Sequence, residues 1–211
     1  MTSIPTPDQP VASPGLPRIV QLRDGRSCRI RLIEAADADR LQQFVRGLSA
    51  ASAQQRFFGS VHELSEAQLK RFTASADPMD FALIAHALYE GVDPAIEPFT
   101  GTARCLRTRP GRAGGGQAGQ APELEFAVTI ADAWQDVGLG RLLLGELIAL
   151  ARARSVAALV GEALSDNTRM IELVRQLGFT VRPDPSDART TLLRLQLQRA
   201  GCPVRHPGDN G

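Results

Sequence analysis

Lysine is nearly absent from this chain: Lys70 is the only one, and arginine carries the remaining positive charge. Net charge is scarce as well, +1 over 211 residues. That balance argues against the strongly basic face with which nucleic-acid-binding domains grip phosphates, so no nucleic-acid partner is expected. Cysteine is sparse, and Cys28, Cys105 and Cys202 stand far apart with no CxxC or Cys/His grouping. An odd, scattered set excludes a disulfide framework and a zinc site, so no metal is expected and a reducing cytoplasm is the natural compartment. Long apolar runs are missing too. Even the Leu-rich stretch is broken by Glu146 and Arg152, short of the roughly 18 apolar residues of a membrane span, so a soluble protein without a membrane partner is expected. Composition says nothing of the oligomeric state.

What is present suffices for one domain. With 43% hydrophobic residues the chain can bury a substantial core, which the pattern places in residues 18–198. Residues 1–17, "MTSIPTPDQPVASPGLP", have neither a basic nor an apolar targeting region and too many prolines for a helix. They read as a disordered leader. Residues 109–122 are too rich in glycine to pack and read as a mobile hairpin loop, and residues 199–211 as a flexible tail.

Between these, Asp24-Gly25 suits a hairpin, with a strand through about Glu34. Leu41, Phe44, Val45 and Leu48 recur at helical spacing, ended by Gly47 and Ser49. "SAQQRFFGS" predicts a short helical turn, and "SEAQLKRFTA" a helix capped by Ser65 with Gln68 three residues on. "FALIAHAL", "PFTGTARCLRT" and "LEFAVTI" read as strands, followed by a loop, a Leu-rich helix, the strand "AALVGEAL", the helix "DNTRMIELVRQLG" and the last strands "FTVRP" and "TTLLRLQLQ". This order predicts an α/β or mixed α+β sheet with helices on both faces.

The loop "QDVGLGR", Gln135–Arg141, runs straight into the greasy helix that follows. Gly138 and Gly140 let backbone N–H groups converge there, and the helix N-terminus adds positive potential, so the junction suits an anion such as a pyrophosphate. A Walker loop is excluded, because neither its spacing nor its lysine is present. A dinucleotide fingerprint stays open, with Leu143 at its third glycine position and Glu162 where its ribose-binding acid would fall. A plain helix-entry turn would need the same glycines.

The loop matches the Q/R-x-x-G-x-G/A pattern, and about Cys28 to Leu197 resembles the GCN5-related N-acetyltransferases (GNAT) in the order of elements. "SAQQRFFGSVHELSEAQL" and "ELEFAVTI" together resemble the bacterial protein-lysine acetyltransferase branch. The resemblance implies the acyl-CoA N-acyltransferase fold, with a mostly antiparallel sheet, and acetyl-CoA as cosubstrate. It implies that Gln135, Asp136, Val137, Gly138, Leu139, Gly140 and Arg141 hold the pyrophosphate, and that the strand segment Val128, Thr129 and Ile130 meets the pantetheine arm. Asn167 faces that arm by the same resemblance, although a helix cap explains the residue equally. Glu125 is the implied general base. In strand alternation it shares a face with Ala127 and Thr129, where a cleft could open over it; pairing with an arginine is the other reading.

Where relatives carry a tyrosine to protonate the departing thiolate, the spacing from Asn167 falls on Val174. This departure leaves the acid unassigned. The expected function is therefore acetyl transfer to an amine, a lysine of a protein partner, by direct attack. A small-molecule amine acetyltransferase and a catalytically silent acyl-CoA sensor are the alternatives. Cys105 as an acyl carrier is weighed against plain packing in a strand.

Overall fold

The computed structural model describes residues 15–59, 61–89, 91, 93, 96–107 and 121–197. The expectations for most of the leader, for the glycine-rich loop up to residue 120 and for the tail lie outside the described residues. Leu16, assigned to the leader by its composition, packs against the main core instead.

Among the described residues eight strands form one sheet: β1 (Arg18–Gln21), β2 (Ser27–Leu32), β3 (Phe81–Ala87), β4 (Phe99–Arg107), β5 (Glu123–Ile130), β6 (Ala158–Leu164), β7 (Thr180–Pro183) and β8 (Thr190–Gln196). Their order is β1-β2-β3-β4-β5-β6-β8-β7. Every pairing is antiparallel except that of β5 with β6. The expected mixed α/β architecture is the observed one.

The described residues also form five α-helices: α1 (Ala38–Arg46), α2 (Ala50–Phe57), α3 (Glu66–Thr73), α4 (Leu139–Ala153) and α5 (Thr168–Gln176). Strand alternation divides the apolar side chains between two faces. On one, Leu83, Leu124 and Phe126 meet Leu143, Leu144 and Leu147 of α4 and Val174 of α5. On the other, Ile84 and Phe99 meet Leu41, Phe44 and Val45 of α1, with Leu69 and Phe72 of α3 beside them. Gly101 of β4 allows α4 its close seat, because a Cβ there would lie 2.9 Å from Leu143 Cδ1 and 2.8 Å from Ile130 Cδ1.

Helix starts follow their chemistry. Ser65 and Gln68 form the expected capping box on α3. The segment read as a short turn is an eight-residue helix, α2, because Ser49 caps it by accepting from the Ser52 N–H. Ser49 thus opens α2 rather than closing α1, which ends at Gly47.

The parallel pair decides where a site can exist. β5 and β6 are in register only over Glu123–Glu125 and Ala158–Val160, and beyond that they part. A Cβ at Gly161 would lie 2.8 Å from Phe126 Cε1 and 3.3 Å from the Phe126 carbonyl oxygen, so the strands separate around that ring. No described helix is long and apolar enough to cross a membrane.

Candidate active site

The parted strands open a cleft of about 930 Å³, lined by β5, the loop before α4, α5 and the end of α2. The Ala131 N–H donates to the Thr100 carbonyl on the β4 side, so by alternation Phe126, Val128 and Ile130 turn their N–H and C=O groups into the gap. The expected strand partners Val128 and Ile130 therefore do present backbone groups there. The Ile130 carbonyl already accepts from Gln135 Nε2 at 3.2 Å, which leaves its N–H. Thr129 points its backbone to β4, and its buried hydroxyl has no partner among the described residues.

At the cleft's other wall the glycine loop meets α4. Gly138 adopts the left-handed conformation, φ 92°, at the helix N-cap, and no side chain caps the helix. The first-turn N–H groups are therefore available to an anion, and Arg23, whose side chain lies against Gly138, and Arg141 add charge at the same lip. Asp136 is also left-handed, φ 62°, and pairs with Arg169 at 3.1 Å. Val137 packs against the core and Leu139 is buried in it, so these two offer only backbone.

Gln135 is a brace. Its Nε2 donates to Ser52 Oγ at 3.1 Å, and its Oε1 accepts from Arg169 at 2.6 Å. Asp132 accepts from the Ser49 N–H, from Ser49 Oγ at 2.6 Å and from Ser52 Oγ at 2.8 Å. Burial raises the Asp132 pKa, but these serine hydrogen bonds outweigh it and hold the carboxyl below its ordinary value. Ser49, Ser52 and Asp132 thus tie α2 to the glycine loop. Sequence reading took Ser49 for a helix end and passed over Ser52 and Asp132. The only signal was a serine pair and an aspartate 80 or more positions apart, which no local pattern connects.

Glu125 lines the cleft on the face that alternation assigned to it. It does not stand among small neighbours only: Arg56 of α2 lines the same cleft, and the two charges interact. Burial draws the Arg56 guanidinium below its ordinary value, and Glu125 opposes that. Glu63 and Glu66 do not line the cleft; Glu63 pairs with Arg46 at 2.8 Å. Further carboxylates of the cleft come from the later half of the chain, from Glu162, Glu172, Asp184 and Asp187.

Asn167 is a helix cap that also lines the cleft. Its Oδ1 accepts from the Met170 N–H at 3.1 Å as the cap of α5, and the residue lines the cleft, where its amide N–H groups remain as donors. Val174 is fully buried in the core and supplies no proton. Cys105 is fully buried as well, and burial pushes its thiol far above the ordinary value, so no thiolate is available for acyl transfer. Among the described residues no group of three or more His, Cys, Asp or Glu side chains could hold a metal ion.

No protein-family model matches the chain. Acetyltransferase PA5475 of Pseudomonas aeruginosa is 31% identical over 181 residues, covering 85% of this chain and 89% of that protein. The GNAT domain of S. lividans PAT superposes with a TM-score of 0.72 at 30% identity, over 85% of this chain and 96% of that one. The structure of yncA from Salmonella typhimurium, solved with its cofactor acetyl-CoA, gives a TM-score of 0.64 at 23% identity, over 85% and 99%.

Proposed function

The chain belongs to the GCN5-related N-acetyltransferase family, and on that premise we propose that it moves an acetyl group from acetyl-CoA to the side-chain amine of a protein lysine, with Glu125 as general base. One observation carries the reading. A carboxylate, an uncapped helix N-terminus and an unpaired strand edge line a single cleft.

Each of these fits one part of the reaction. The first-turn N–H groups of α4, from Gly138 to Arg141, would hold the pyrophosphate, with Arg23 and Arg141 beside them. Val128 and the Ile130 N–H would pair with the pantetheine amides as a strand pairs with an edge, and the Asn167 amide would donate from α5. Acetyl-CoA supplies a thioester carbonyl, activated toward attack by an amine.

A lysine amine has a pKa near 10.4, so its proton must leave as attack begins. Glu125 accepts that proton, directly or through one water. A free thiol such as cysteine has a pKa near 8.5, so a departing thiolate can take its proton from solvent, which makes Val174 compatible with turnover. Positioning supplies much of the remaining acceleration, and the Ser49–Ser52–Asp132 bracket fixes α2 relative to the loop that holds the cosubstrate.

Charges of both signs line the cleft. Arg23, Arg141 and Arg169 outnumber Asp136 about the glycine loop, and Glu125, Glu162, Asp184 and Asp187 of the sheet and the β7–β8 turn are joined by Arg56 of α2 and Glu172 of α5. The arginine excess at the loop favours an anionic cosubstrate there, and the carboxylates offer a cationic acceptor a counter-charge. The test is Glu125→Gln, which keeps shape and removes proton acceptance. Thiol release should drop roughly 10²–10⁴-fold while coenzyme A affinity stays constant. Wild-type protein that releases no thiol with any lysine-bearing protein or amine favours the silent sensor. A kcat/KM higher for free lysine or spermidine than for intact proteins moves the acceptor to small amines.

A further inference from the structure

We infer that Phe58 is a specificity-determining residue, whose ring at the lip of the cleft packs on the methylene stem of the acceptor lysine. The inference rests on the lysine-acetylating reading above and assigns a part of it to a side chain outside the reacting groups.

The backbone at Phe58 is left-handed, with φ 59°, a conformation unfavourable for a bulky residue. Its N–H donates to the Gln54 carbonyl at 2.8 Å and ends α2 there. Gly59 follows directly and would take that conformation freely if the helix ended one residue later. The fold thus places an aromatic where a glycine is cheaper. The ring is not withdrawn from water in return, since Phe58 remains 45% exposed. Its neighbour Phe57 behaves differently, packing against the core beneath α1 with the Arg56 guanidinium 5.0 Å from its ring centre. Both aromatics line the cleft, but Phe57 is anchored in the core behind it, whereas Phe58 is the one left exposed there.

The lysine chemistry supplies the occupant. An amine brought to Glu125 leaves four methylenes between the reacting nitrogen and the acceptor's backbone. The lip formed by the end of α2 offers that stem a path, because Phe58 and Glu125 line the same cleft and α2 packs on β5. A partly desolvated ring beside it lowers the cost of carrying an apolar stem into a cleft lined by charged groups.

Steady-state kinetics with Nα-acetyl-lysine methylamide as acceptor tests this in Phe58→Gly and Phe58→Asn, two residues that accept the left-handed backbone, and in Phe58→Leu. The first two should raise the acceptor KM roughly tenfold, with kcat within about twofold of wild type. Leucine should restore most of the loss, and the coenzyme A dissociation constant should not move. Phe58→Gly should also keep or raise Tm, the opposite of what a structural aromatic would do. An unchanged acceptor KM in folded Gly and Asn variants of an active enzyme overturns the inference alone. A wild-type protein inert toward lysine acceptors overturns the acceptor reading and this inference together.

Discussion

His86 and Glu97 are both withdrawn from water, with Nδ1 and Oε2 2.6 Å apart at the base of the β3–β4 hairpin. Burial holds the His86 imidazole below its ordinary value, although the Glu97 carboxylate opposes it. In the unfolded chain a histidine protonates near pH 6.5, so below that pH the unfolded state binds the extra proton first. Stability is therefore full above about pH 6.5 and falls as the pH drops toward the lower folded pKa, by at most about 1.4 kcal/mol per unit. Thermal melts from pH 7.5 to 5 should show that decline, and His86→Gln should flatten it. An equal decline in the variant would assign the proton elsewhere. The same burial that depresses His86 was not visible in "FALIAHAL", where alternation says only that a strand passes. Glu125 was legible because the strand pattern and the family resemblance meet on it, but its neighbour Arg56 belongs to a helix far upstream.

The separation of β5 from β6 is an element-scale event with a one-residue cause. Phe126 turns its ring toward α4 and α5, 4.9 Å from the Phe179 ring, and occupies the space a side chain at position 161 would need. Gly161→Ala would meet the ring at 2.8 Å and the Phe126 carbonyl oxygen at 3.3 Å, so the ring or the strand must shift. A cost of about 1–3 kcal/mol is expected, as for overpacking, together with a weaker grip on coenzyme A because the gap changes width. Urea denaturation and calorimetry measure the two effects, and a variant as stable as wild type would show that the gap relaxes. Sequence reading placed β6 correctly within "AALVGEAL" but had no means to say that its glycine marks the point of departure, since Phe126 stands 35 positions away. The helix ends were better encoded: Ser65, Gln68 and Gly47 act within a turn of their own position.

For the whole molecule, cosubstrate binding and folding stability are linked, because the cleft exists only in the folded chain. Coenzyme A at a hundred times its dissociation constant should stabilise the protein by about 2.7 kcal/mol, a Tm rise of roughly 5–10 °C for a chain of this size. Gly140→Asp is the sharper probe of where that energy arises. A Cβ at Gly140 meets Leu173 Cδ2 at 3.5 Å and Ile130 Cγ1 at 3.6 Å, ordinary contacts, and a carboxylate in the first turn of α4 suits the helix. The variant should fold as well as wild type and lose most of the Tm rise, by repulsion of the phosphates; Gly138→Asp is less clean because its left-handed backbone would strain any side chain. A full Tm rise in Gly140→Asp would place the anion elsewhere. What the sequence by itself determined were the strands, the helices and the glycine loop, because hydrophobic period and capping chemistry act between near neighbours. Tertiary structure alone decided the parting of β5 and β6, the Asp132 bracket, Arg56 beside Glu125 and the burial of Val174. Each depends on which distant segments share a surface, and that is set by the packing of two cores against one sheet rather than by any local pattern.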